Sequence, residues 1–123
     1  MQKLSTIQQF RKLNEVYRAG EPGPGSAYHN YVIAKAEKKD EENPIIAMVR
    51  FQKGPRQDPE SISGVLDVDL LEIVRDRLTA FQSGELATEH NAEALSHVEA
   101  ALVCLNQRVE DRIKRGVLGT MEK

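Results

Sequence analysis

The chain has 123 residues, 40% of them apolar and 29% charged, with a net charge of −2. That balance describes one small globular domain, spanning 1–123, and excludes a protein that coats duplex nucleic acid, where a strongly basic surface is the norm. No run approaches the ~18 apolar residues of a membrane span, and the N-terminal MQKLSTIQQF lacks the apolar centre of a secretory signal.

With no tryptophan and only three Phe and three Tyr, the core must be aliphatic. A thin aliphatic core in a short chain gains stability by association, so an oligomer is expected. The single cysteine, Cys104, has no internal disulfide partner, which fits a reducing cytoplasm.

In chain order, Ser5 or Thr6 is placed to cap a first helix over 5–19, with Ile7, Phe10, Leu13, Val16 and Tyr17 at near-helical spacing. GEPGPG, residues 20–25, ends it as a turn or linker. AYHNYVIAKAEK then alternates its side chains, and PIIAMVRFQ is rich in branched and aromatic residues. Joined by the charged run KKDEEN, the two predict an antiparallel β-hairpin over 26–56. Two strands alone are marginal in water, so the hairpin must pack on a helix or pair across a subunit boundary. KGPRQDPESISG is too polar and too rich in Pro and Gly for a regular element.

From Asp67, read as an N-cap, Leu71, Val74, Leu78 and Phe81 repeat at helical spacing. QSGEL turns the chain and Thr88 caps a second helix whose apolar line is Leu95, Val98, Leu102, Leu105 and Val109. Those steps alternate three and four, the seam spacing of paired helices, and Gly116 marks the stop. The predicted fold class is α+β: a small antiparallel sheet, then an antiparallel helical hairpin over 67–116, with the N-terminal helix in addition.

Extending the seam outward reaches Asn91 at one tip and Arg112 at the other, about 31 Å apart at ~1.5 Å per residue. Phe81 shares the turn end with Asn91, while Arg108, Arg112 and Arg115 share the opposite end and one helix face. If two hairpins pack antiparallel about a two-fold axis, each end of the bundle gains an aromatic ring, an amide and several guanidiniums, giving two equal sites. Such a set suits a nucleotide: a ring stacks on a base and arginine forks match phosphate oxygens. The plain alternative is open at this point. Cations at a helix C-terminus oppose the macrodipole, Glu110 and Asp111 are available to pair with them, Phe81 can be core, and Asn91 can be an ordinary first-turn residue.

The series VRFQKGP, ISGVLDVDLLEIVRDRL, FQSG, HNAEALSHVEAAL and RVEDRIKRGVLGT resembles the phage anti-Thoeris and anti-CBASS signal sponges that share a C-terminal helical hairpin. The likeness runs from about residue 20 to 120, and departs from the family pattern at Leu118 and in the SGEL turn. It implies sequestration without chemistry. The expected ligands are cyclic nucleotide immune signals, such as glycocyclic ADP-ribose and other cyclic ADP-ribose isomers, together with cyclic oligonucleotides in a separate pocket. It also implies a homodimer able to assemble into a hexamer as a trimer of dimers, acting in the cytoplasm of a bacterial host. By position, Phe81 would stack on the adenine, Asn91 would hydrogen-bond the ligand, and Arg108, Arg112 and Arg115 would grip the diphosphate. Gly54, Pro55 and Arg56 would belong to the second, cyclic-oligonucleotide pocket.

Other chemistry finds little footing. His90 and His97 lie about 10 Å apart along a helix, too far to share a zinc ion. No Ser–His–acid series supports nucleophilic catalysis, and GEPGPG lacks the Gly-Lys-Ser/Thr of a phosphate loop. No enzyme, metal, cofactor, membrane or nucleic-acid polymer is expected. The rival reading is a helical adaptor that inhibits a host protein by direct binding, using the 7–17 segment and the outer face of the hairpin.

Overall fold

The computed structural model describes residues 1–37 and 43–123. Most of the charged loop read in KKDEEN, residues 38–42, lies outside the described residues. The fold is α+β, and the chain divides into two compact units, Met1–Val65 and Leu66–Lys123.

The first unit is a four-stranded antiparallel sheet in the order β1-β2-β3-β4, with β1 at Gln2–Lys3, β2 at Asn14–Ala19, β3 at Asn30–Lys35 and β4 at Ile45–Arg50. The helix expected over 5–19 does not form. Val16 and Tyr17 instead pair with Ile33 and Val32 of β3, because a strand that supplies a β-branched and an aromatic side chain to a neighbour gains more than a lone turn of helix. Ile7, Phe10 and Leu13, which set the apparent helical spacing, fall in the irregular β1–β2 connection and are exposed there.

Strand β3 is central, and its Val32 and Ala34 are the buried apolar residues of the unit. On the opposite face Tyr31 meets Phe51 edge to face, with ring centroids 5.6 Å apart. The β3–β4 register slips between Ile33 and Ala34, so that Ala47 faces Ile33 while Ile45 faces Ala34. Ile46 is the extra residue of this bulge. Beyond β4 the chain returns so that the Val65 N–H donates to the Arg50 carbonyl at 2.8 Å and Gln52 donates to Val65 at 2.9 Å.

The second unit is the helical hairpin, α1 at Asp67–Gln82 and α2 at Glu89–Lys114. Asp67 is not the cap of α1. The Asp69 carboxylate, one turn in, accepts the Leu66 N–H at 2.8 Å, which satisfies one of the orphan donors of the first turn. Thr88 does cap α2, its hydroxyl accepting the Asn91 N–H at 3.0 Å. Gly116, at φ +71°, ends the helix. Its N–H donates to Ile113 at 3.1 Å while Val117 donates to Arg112 at 3.0 Å, the paired bonds of a Schellman motif, in which the left-handed turn suits glycine. Arg75 of α1 ties the helices together by donating to Glu99 of α2 at 3.0 Å. The bond from Glu99, with Glu72 adding its charge, raises the guanidinium pKa above its ordinary value.

Candidate functional site

The seam of α2 runs as its spacing predicts. Asn91, Leu95, Val98, Leu102, Leu105 and Val109 are all half-buried. Arg112, at the next seam step, is 6% exposed and is the buried polar residue of the described chain. Each end of the apolar line is thus polar, and each end is built differently.

At the turn end, Phe81 in the last turn of α1 is half-buried, with the Arg77 guanidinium 5.5 Å from its ring centroid. That cation sits over the π face, where the ring's negative charge lies. Gln82 closes the turn by accepting the Thr88 N–H at 3.1 Å. Asn91 spends its backbone N–H on the Thr88 cap. Its side-chain amide has no hydrogen-bond partner among the described residues and is available to a ligand. Ring and amide therefore stand at one end on rigid helical ground.

The arginine end is less uniform than the sequence suggests. Arg108 is exposed and pairs with nothing among the described residues. Arg115 is bound on one edge, Nε donating to Asp111 at 3.0 Å and Nη2 to the Lys123 carbonyl at 2.8 Å. Arg112 is engaged most: Nη2 donates to the Val117 carbonyl at 3.0 Å and the Thr120 carbonyl at 3.1 Å, and Nη1 donates to the Glu122 carbonyl. Three of the five donors of a guanidinium are used, all on backbone that follows the helix. The expected cationic cluster is thus one free guanidinium, one half-occupied and one enclosed. Within one chain the structure does not bring this end together with Phe81 and Asn91.

Between the two ends the hairpin leaves apolar surface uncovered. Ile73 of α1 and Val103 of α2 are each 57% exposed. A groove of about 630 Å³ is lined by Val68, Leu102, Val103, Leu105 and Val109 together with Glu72 and Glu110.

The second candidate pocket, at residues 54–56, is organised by a residue the sequence reading passed over. Gln52 donates its amide to the Gly54 carbonyl at 2.9 Å, and its Oε1 accepts Arg56 Nε at 3.1 Å and the Gly64 N–H at 3.3 Å. Arg56 also donates to the Gly64 carbonyl at 3.0 Å. One side chain that both donates and accepts thereby pins both walls of the loop. The legible signal was a glutamine two residues before a Gly-Pro turn. Pro55 is half-buried, and Arg56, though exposed, commits two of its five donors to the loop itself.

Among the described residues, no group of three His, Cys, Asp or Glu is placed to hold a metal ion, and no helix is long and apolar enough to cross a membrane.

A family model described as Acb2/Tad1, hairpin domain, matches residues 43–110. Over 78 residues the chain is 42% identical to the Thoeris anti-defense 1 protein of Bacillus phage SBSphiJ7, a match covering 63% of this chain and 54% of that protein. The chain spans about half the length of this curated relative. The family match takes in residues 54–56, Phe81, Asn91 and Arg108, and ends before Arg112 and Arg115.

Proposed function

The chain belongs to the family that carries the Acb2/Tad1 hairpin domain, and on that premise we propose that it is a phage anti-defence protein that sequesters a cyclic nucleotide immune signal without cleaving it. The ligand class is a cyclic ADP-ribose isomer such as glycocyclic ADP-ribose. The pocket lies between two copies, in the cytoplasm of the infected cell.

The observation that carries this reading is the separation of complementary groups to opposite tips of one apolar seam. Phe81 and the unpartnered Asn91 amide stand at the turn, and the free Arg108 stands at the far end. Pairing two hairpins antiparallel through the groove that Val103 lines places the ring and amide of one copy beside the arginine of the other. The base stacks on Phe81, the Asn91 amide hydrogen-bonds the ligand, and Arg108 meets the diphosphate. Arg112 and Arg115 stand behind it.

Such a protein acts by mass action: it must bind its signal more tightly than the effector does and be as abundant as the signal. Residues 54–56, held by Gln52, are the proposed second pocket, for cyclic oligonucleotides.

The test is calorimetric titration with glycocyclic ADP-ribose, followed by heat release and mass spectrometry of the ligand. Saturable binding at one ligand per hairpin and recovery of the intact cyclic molecule are expected. Recovery of a linear product defeats the proposal.

The exposed Ile7, Phe10 and Leu13 of the β1–β2 connection favour a second reading, an adaptor that docks on a host protein. Arg108→Ala separates the two. It abolishes small-molecule binding if the first reading holds and leaves capture of a protein partner untouched if the second does.

A further inference from the structure

The two arginines that lie beyond the family match both donate to the same segment, residues 117–123, Arg112 three times and Arg115 once. The occupancy of Arg112 has a geometric consequence. A guanidinium offers two forks for a phosphate, the Nε–Nη2 edge and the Nη1–Nη2 edge, and both include Nη2. Nη2 of Arg112 already donates twice, to Val117 and to Thr120, and Nη1 donates to Glu122. Neither fork is left whole. On Arg115 the Nε–Nη2 edge is spent on Asp111 and Lys123. The acceptors on Arg112 are all main-chain carbonyl oxygens.

We infer that residues 117–123 act as an internal competitor for the arginine end of the site: their carbonyls occupy the guanidinium forks, and a diphosphate gains a bidentate grip on Arg112 only by displacing them. This rests on the proposed anion site and adds to it a state in which that site is closed by its own chain. The segment is suited to exchange. Thr120, Met121, Glu122 and Lys123 are exposed, and its hold within itself is slight: Thr120 donates its N–H and its hydroxyl to Val117, and Glu122 donates to the Thr120 hydroxyl. Gly119 sits at φ +80°, a conformation that proline, fixed near −65°, does not reach. The Schellman bonds are made by the Gly116 and Val117 N–H groups at the segment's upstream edge, so residues 118–123 can leave without unwinding α2.

Two variants test this: a chain ending at Leu118, and the full-length Gly119→Pro chain, which disrupts the segment without placing a new carboxylate beside Arg112. Each is titrated with glycocyclic ADP-ribose and, separately, with inorganic diphosphate. Hydrogen exchange at Thr120 and Glu122 is followed in the full chain as ligand is added. Both variants should bind about five- to thirtyfold more tightly, since the fraction of molecules competent to bind no longer limits the apparent affinity. In the full chain, both amides should exchange faster on saturation. If the full chain binds while the variants bind equally or more weakly and the two amides stay protected, the competitor is refuted and the anion site stands. If no form binds either probe, the anion site fails and the competitor with it.

Discussion

Arg112→Ala, measured without ligand, asks what the buried guanidinium does for the folded chain. Three hydrogen bonds to a charged donor are lost, each worth about 1.5–3 kcal/mol. Two terms offset that loss. The released carbonyls of Thr120 and Glu122 belong to exposed residues and regain water. The seven residues 117–123 recover backbone freedom, which at about 1 kcal/mol each returns roughly 7 kcal/mol if the whole segment loosens. The two sides nearly cancel, about 4.5–9 kcal/mol of hydrogen bonding against roughly 7 kcal/mol of backbone freedom, so the net destabilisation is at most about 2 kcal/mol. At this chain length that upper bound corresponds to a fall in Tm of no more than about 10 °C. Arg108→Ala, which removes a guanidinium with no partner among the described residues, should move Tm by less than about 1 °C. Differential scanning calorimetry gives both values on matched samples, and hydrogen exchange at Thr120 reports whether the segment has let go. Equal Tm values for the two variants, with Thr120 still protected in Arg112→Ala, would show that the carbonyl bonds do not hold the segment.

Thr88→Ala removes the hydroxyl that caps α2 and should cost about 1 kcal/mol, read as a lower urea midpoint at unchanged slope. Asp69→Ala frees the Leu66 N–H and should cost a similar or smaller amount, whereas Asp67→Ala, which lacks that bond, should cost less; the reverse order would contradict the observed cap. Val103→Asp places a charge on the uncovered hairpin face and should shift the mass measured by light scattering toward a single copy, with ligand binding lost in parallel. Phe81→Ala should weaken binding of glycocyclic ADP-ribose by about 1–3 kcal/mol, the usual value of one base on one ring, and leave the assembly mass unchanged.

The helical hairpin was legible because each signal that defines it is local. The three-four seam from Leu95 to Val109, the Thr88 hydroxyl and the Gly116 stop all act within a turn or two of where they stand, and the structure uses each of them. The β2 strand was not legible, because its reason to exist lies across the sheet: Val16 and Tyr17 are recruited by Ile33 and Val32, while Ile7, Phe10 and Leu13 happened to fall at helical steps. Reading Asp67 as the cap set the helix start one residue late, since the cap position is Leu66, a distinction periodicity does not make. At the site, the positions of Phe81, Asn91 and Arg108 followed from the hairpin alone. What occupies Arg112 did not, because its acceptors are main-chain carbonyls, which every residue carries and no side-chain pattern announces.

The fastening of that buried cation uses dipoles rather than carboxylates. A carbonyl neither gains nor loses a proton at any pH at which proteins remain folded, and an enclosed contact is little affected by dissolved ions. Acidification or a change in ionic strength therefore has no direct purchase on the clasp. On the competitor proposal, what undoes it is a species that offers its own oxygens to the guanidinium.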